Sequence, residues 1–149
     1  MKRQTECVCV NLRRATRALT QLYDSALAEA GVKVTQFSLL RAIERSEPAA
    51  INTLAEDLDL DRTTLARNLL PLQRERLVTL ATGDDQRVTE VRLTAKGRKA
   101  IAQALPLWQQ VQGEIVERLG AGSVQQMRDL AAAALALNEQ GTRASVRRR

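Results

Sequence analysis

Residues Val78 to Thr94 read VTLATGDDQRVTEVRLT. Two alternating apolar-polar segments, Val78–Ala81 and Val88–Leu93, stand either side of a Thr-Gly-Asp-Asp cluster. A period of two marks a strand, and Gly with Asp marks a turn. The stretch is expected to fold as a β-hairpin with Arg87 at its tip. The segment before it, Asn52–Val78, reads as a helix-turn-helix.

The rest of the chain has helical spacing. From Asn11 to Ala30, apolar residues recur at Leu12, Ala15, Leu19, Leu22, Tyr23, Ala26 and Leu27. Gly31 ends this helix. A second is expected from Thr35, its N-cap, to Arg45, with Pro48 in the loop beyond. Asn52 or Thr53 caps a third through Leu58. Asp61 caps a fourth, its carboxylate accepting from the N–H of Thr63 or Thr64. After the hairpin, Thr94 caps a long fifth helix to about Leu119, kinked at Pro106. Gly120 and Gly122 break the chain, and Ser123 caps a sixth helix to about Glu139. The expected class is mainly α with a small β-hairpin wing: a compact lobe over residues 35–94, and terminal helices over 5–30 and 95–139.

The 149 residues suit a single domain. The terminal helices carry long apolar stripes with little else in the chain to cover them. The same helices of a second copy are the expected cover, since two-fold pairing is the commonest oligomer; the plainer alternative is that they cap one monomer's core. Ala131–Ala134 supplies small residues for close helix approach.

The chain has no histidine, which removes the commonest general base and metal ligand. It has no nucleotide-binding glycine loop and no metal-ligand spacing beyond one Cys-x-Cys. Asp84 and Asp85 are adjacent in a turn, not a catalytic pair. An enzyme is not expected, and no cofactor or resident metal is implied. No stretch is long and apolar enough for a membrane span. The apolar run Cys7–Val10 behind Lys2 and Arg3 is too short for a signal peptide, so a cytoplasmic location is expected.

The net charge is +6, but Arg143, Arg147, Arg148 and Arg149 hold four of those charges. The remainder of the chain carries only +2. Residues 141–149 are expected to form a disordered basic tail, either attracting phosphate without regard to sequence or simply solvated. Any case for nucleic acid must rest on where charge sits.

On the fourth helix, Leu65, Leu69 and Leu72 share one side at 100° per residue. Thr63, Arg67 and Arg74 lie opposite, flanked by Thr64 and Asn68. Hydroxyl, amide and guanidinium groups near a helix start are what a major groove receives. Arginine matches guanine O6 and N7, and asparagine matches adenine. Ala55 is small where the two helices cross, and Leu60 plugs the turn. Arg87 is placed for a narrow minor groove, where negative potential concentrates. Asp85 is expected to hold its guanidinium by a charge-assisted hydrogen bond.

The runs TLAEDLDLDRTTLARNLLPLQRERLV and GDDQRVTEVRLTAKGR resemble the MarR family of bacterial winged helix-turn-helix regulators. Asp85-x-Arg87, Leu93-Thr94 and Lys96-Gly97 are similar to that family's wing signature. The likeness extends from Leu12 to about Leu137. It implies a homodimer bound to double-stranded DNA, most often a repressor of a palindromic site. Arg62, Thr63, Thr64, Arg67 and Asn68 would take recognition-helix positions and Arg87 the wing tip. It further implies release by a small lipophilic or phenolic effector, or by an oxidant. Asp59 stands where the family's turn often has Gly, and Asp tolerates left-handed geometry better than most residues. Pro71 lacks an N–H for the carbonyl of Arg67, so the helix should bend or tighten there.

Cys7 and Cys9 are the only cysteines. From Cys9 to Tyr23 the first helix resembles the organic-hydroperoxide-sensing branch, in which a cysteine at the place of Cys9 forms a sulfenic acid. Here Val34 and Phe37 stand where that branch has supporting tyrosines. Two copies would bring four thiols together, a set suited to arsenite or a soft metal. The plainer reading makes both cysteines small apolar residues at a dimer interface. Tyr23, Phe37 and Trp108 either line an effector pocket or belong to the core. The competing function is a protein–protein interaction module on the same fold, without specific DNA binding.

Overall fold

A computed structural model describes the backbone of residues 6–146, with side chains to residue 137. Six helices and three strands follow in the order α1 (Val8–Leu27), α2 (Val34–Arg45), β1 (Ala49–Ala50), α3 (Ile51–Asp57), α4 (Arg62–Arg74), β2 (Val78–Thr82), β3 (Thr89–Leu93), α5 (Ala95–Leu119) and α6 (Ala121–Val146). The chain divides into two compact units, residues 1–109 and 110–149, with the division inside α5.

The first unit holds an aliphatic core, as a chain with one Phe, one Trp and one Tyr requires. Leu27, Leu40, Ile43, Leu65, Leu72 and Val91 are fully buried. Ile101 and Ala104 of α5 join the same cluster. This unit is broader than the expected 35–94 lobe because the end of α1 and the start of α5 share its core. A 3-10 turn, Ala28–Ala30, follows α1 and ends at Gly31, whose φ of 68° suits glycine.

The sheet has the order β1-β3-β2, both pairings antiparallel. Val78 is opposite Leu93, and Thr82 opposite Thr89. The hairpin is therefore present, but it is the larger part of a three-stranded sheet. β1 is two alanines long, too short to show any alternation. It is held by Ala49 opposite Val91 and Ala50 opposite Glu90.

Several helix starts differ from expectation. α2 begins at Val34 with Lys33 as N-cap, not Thr35. The Asp24 carboxylate, arriving from α1, accepts the Val34 N–H at 2.8 Å. The Gln36 side chain accepts that of Lys33 at 2.9 Å. The orphan donors of α2 are thus met from outside the expected cap. α3 begins at Ile51 after Ala50, without a side-chain cap, so Asn52 and Thr53 lie inside it. α6 begins at Ala121, which places Ser123 within the helix. Its preceding residue Gly120 has φ 80°.

α6 runs to Val146. The expected disordered tail over 141–149 is therefore helical as far as Val146, and Arg147–Arg149 lie outside the described residues. In the second unit α6 exposes Met127, Leu130, Leu135 and Leu137. In the first, α1 exposes Val8, Leu12 and Leu22. α4 and α5 each continue past their internal prolines, Pro71 and Pro106, as single helices. No helix among the described residues is long and apolar enough to cross a membrane.

Candidate nucleic-acid interface

α3 and α4 form the helix-turn-helix, and the turn is built from backbone geometry. Asp59 has φ 52°. The Leu60 N–H donates to the Ala55 carbonyl at 2.9 Å and the Asp59 N–H to that of Glu56 at 3.1 Å. This is a Schellman closure with aspartate in the glycine position. The turn survives the substitution, as the tolerance of Asp for this conformation requires. Leu58 and Leu60 pack against the core, so Leu60 does plug the turn, and Ala55 is buried.

Asp61 caps α4 as its place in the sequence predicts. Its carboxylate accepts the Thr64 N–H at 2.9 Å and the Thr64 hydroxyl at 2.5 Å. These two bonds hold the Asp61 carboxyl below its usual pKa, the hydroxyl bond contributing most. Leu65, Leu69 and Leu72 bury one side of α4. Arg62, Thr63, Arg67 and Asn68 are exposed, and Thr64 is half-buried. The helix therefore presents the polar face that its periodicity indicated.

At the other end of α4, Arg76 has φ 58°. A second Schellman closure joins Leu77 N–H to the Leu72 carbonyl at 2.8 Å and Arg76 N–H to that of Gln73 at 2.9 Å. This sharp stop sends the chain directly into β2.

The wing tip spans Gly83 to Val88. The Gly83 N–H donates to the Val88 carbonyl, and the Val88 N–H to that of Asp85, each at 2.8 Å. The Asp85 carboxylate accepts the backbone N–H of Arg87 at 3.0 Å. This corrects the expectation that Asp85 grips the guanidinium. An Asx-type turn brings its carboxylate onto the backbone two residues on, and Arg87 makes no ion pair among the described residues. Arg87 is exposed. Asp85 shapes the loop, and the guanidinium is left to solvent.

The aromatic residues fall largely in the core. Phe37 is 3% exposed and stacks at a tilt on Trp108, ring centres 6.1 Å apart. Tyr23 is half-buried, and burial pushes its hydroxyl pKa up. A cleft of about 360 Å³ lies instead beside α4, lined by Val34, Thr35, Gln36, Ser38 and Leu39 of α2, by Leu58 and Leu60, and by Arg67, Asn68 and Pro71. Neither it nor a second cleft, beside Lys96 and Lys99, includes any of the three aromatics. Sequence spacing gave no sign of the α2–α4 cleft, because its walls are far apart in the chain.

Cys7 is the N-cap of α1, Cys9 lies in its first turn, and both are exposed. The helix thus begins before Asn11. Among the described residues no three His, Cys, Asp or Glu gather as a metal site.

Two helices with a polar outer face, followed by a hairpin wing with arginine at its tip and backed by β1, define a winged helix-turn-helix regulator. Solved structures agree. The transcriptional regulator MosR of M. tuberculosis, in complex with DNA, is 39% identical, with a TM-score of 0.80, over 91% of this chain and 98% of that one. MosR in a separate crystal structure is 40% identical, with a TM-score of 0.74, over 90% and 97%. A mutant MarR of E. coli complexed with operator DNA shares the fold at 22% identity and a TM-score of 0.75, over 86% and 93%. No family model and no curated protein matches the chain. The chain belongs to the MarR family of transcriptional regulators.

Proposed function

We propose that this protein is a homodimeric repressor that binds a palindromic operator. The observation that carries the reading is the pairing, in one lobe, of an exposed polar α4 face with an exposed arginine at the wing tip. α4 enters the major groove by its N-terminal half. Arg67 and Asn68 read base edges there, and Arg62, Thr63 and Thr64 contact bases or backbone nearby. Arg87 enters the adjoining minor groove. The DNA complexes of MosR and MarR support this use of the fold.

The second copy covers the apolar faces that α1 and α6 leave exposed, Leu12 and Leu22 on the one and Met127 and Leu130 on the other. Release follows when a small lipophilic or phenolic effector binds, or when Cys7 or Cys9 is modified by an oxidant or arsenite. The exposure of both thiols favours the second route.

Selection of bound duplexes from a random pool tests the main reading. A palindrome with half-sites about one helical turn apart is the expected product. Failure to enrich any sequence would leave the protein-interaction alternative standing. Cumene hydroperoxide and arsenite test the thiol route. Unchanged DNA binding and unmodified thiols after both treatments would remove it.

A further inference from the structure

We propose that Glu47 is a positioning residue for the wing and, through it, for Arg87. The inference rests on the reading of the wing as a DNA-contacting element.

β3 is the central strand, and its root is held by a side chain where β1 runs out. Val91 pairs with Ala49 of β1. Leu93, two residues on, turns its N–H to the same side as Val91, because strand groups alternate. β1 begins at Ala49 and has no further residue to meet that donor. Glu47 Oε1 accepts the Leu93 N–H at 2.8 Å. One carboxylate oxygen therefore stands where the next rung of the β1–β3 ladder would be.

The other oxygen makes a second link. Arg98 Nη2 donates to Glu47 Oε2 at 2.6 Å. Arg98 lies in the first turn of α5, and Thr94, just before that helix, donates its N–H to the carbonyl of Leu77, just before β2, at 3.0 Å. The Glu47 side chain is 17% exposed, against 54% for Arg98. Its bonds face less competition from water than those of an ordinary surface pair. A single carboxylate thus ties the α2–β1 connection to the root of the wing and to α5.

The wing is a lever about that root. Arg87 is six positions from Leu93, at most roughly 20 Å at strand rise, so a rotation of about 5° at Leu93 moves the tip by up to about 2 Å. Asp85, Gln86 and Arg87 are all exposed, and the tip is stiffened only within its own loop. Its direction is therefore set at the base. A groove that accepts one guanidinium between two backbones is sensitive to a shift of that size.

The test is a double-mutant cycle on the full-length protein with a duplex selected from the random pool. Glu47→Ala removes both bonds and is expected to weaken binding about tenfold. In an Arg87→Ala background the same change should cost less than about twofold, since the misplaced group is already gone. Glu47→Gln keeps an acceptor for Leu93 and loses the charge, so it should recover most of the affinity. If Glu47→Ala does not fold, as judged by thermal melting, Glu47→Met, which fills the same space without an acceptor for the Leu93 N–H, carries the cycle with the same expected losses. Faster exchange of the Leu93 amide in Glu47→Ala would report the lost rung directly. Wild-type affinity in Glu47→Ala, or an equal loss with and without Arg87, overturns the proposal. If Arg87→Ala alone leaves binding unchanged, the wing reading itself has failed, a distinct result.

Discussion

Lys96 Nζ donates to the carbonyl oxygen of Glu75 at 2.8 Å, so the first turn of α5 closes the last turn of α4. A cation at that carbonyl suits the negative end of the helix. Beside it, the Thr94 hydroxyl donates to the Arg76 carbonyl at 2.7 Å and accepts the Gly97 N–H at 3.0 Å. The run Thr94-x-Lys96-Gly97 is thus a clasp between the helix-turn-helix and α5, and each of its three named residues has a separate task.

Gly97 is required by the closeness of that clasp. A Cβ built on it would lie 2.1 Å from the Leu77 carbonyl oxygen, which is backbone and cannot swing aside. Gly97→Ala is expected to destabilise the protein by about 1–3 kcal/mol, the usual range for forced overpacking. Urea unfolding should show a lower midpoint.

Arg76 occupies the left-handed region at φ 58°. Glycine adopts that conformation without the Cβ penalty. Arg76→Gly should therefore stabilise the fold by up to about 1 kcal/mol, or about 2–4 °C in Tm. A scan showing a fall in Tm would mean that the Arg76 side chain contributes more than its backbone costs.

Arg67 and Arg87 are exposed, so their removal should act on DNA and not on folding. Arg67→Ala is expected to weaken operator binding by about 1–3 kcal/mol and to relax preference at one base pair. Arg87→Ala should weaken binding most on operators with narrow, A·T-rich flanks. Fluorescence anisotropy on a panel of duplexes reads both, with Tm unchanged in each variant.

Asp61 gives the fold a pH dependence of known sign. Its carboxyl is held below the ordinary value by the Thr64 hydroxyl and N–H. A depressed folded pKa contributes stability that is present above the unfolded value, about 4, and is lost as pH falls through the folded one. The stability advantage of wild type over Asp61→Asn should hold at neutral pH and shrink below about pH 4. Urea titrations at several pH values would follow it.

Leu12 is 40% exposed on α1. If a second copy covers it, Leu12→Asp should shift the protein toward monomer in analytical ultracentrifugation. Loss of the paired lobe should then reduce affinity for a palindrome by at least about tenfold, because the second half-site is no longer bound within one molecule.

Features that depend on near neighbours were legible in the chain. The Asp61 cap spans three residues. The Asp59 turn closes over five, and the polar and apolar sides of α4 follow from helical period alone. The wing hairpin was legible because alternation and a Gly-Asp turn sit side by side. The place of Asp85 in the turn is legible in the sequence, but its partner is not: a short acid reaches the backbone two residues on more readily than a mobile guanidinium.

The sequence by itself determined the helix-turn-helix, the wing and the residues that face outward from them, because caps, turns and periodicity are local hydrogen-bonding and burial preferences. Only the tertiary structure decided what fastens those parts together. The Glu47–Leu93 bond spans 46 residues, Glu47–Arg98 spans 51 and Lys96–Glu75 spans 21. β1, two alanines long, exists because β3 offers it an edge. Such contacts have no period and no spacing rule. They appear when the buried leucines of α2, α3 and α4 close the core and bring distant polar groups within reach of one another.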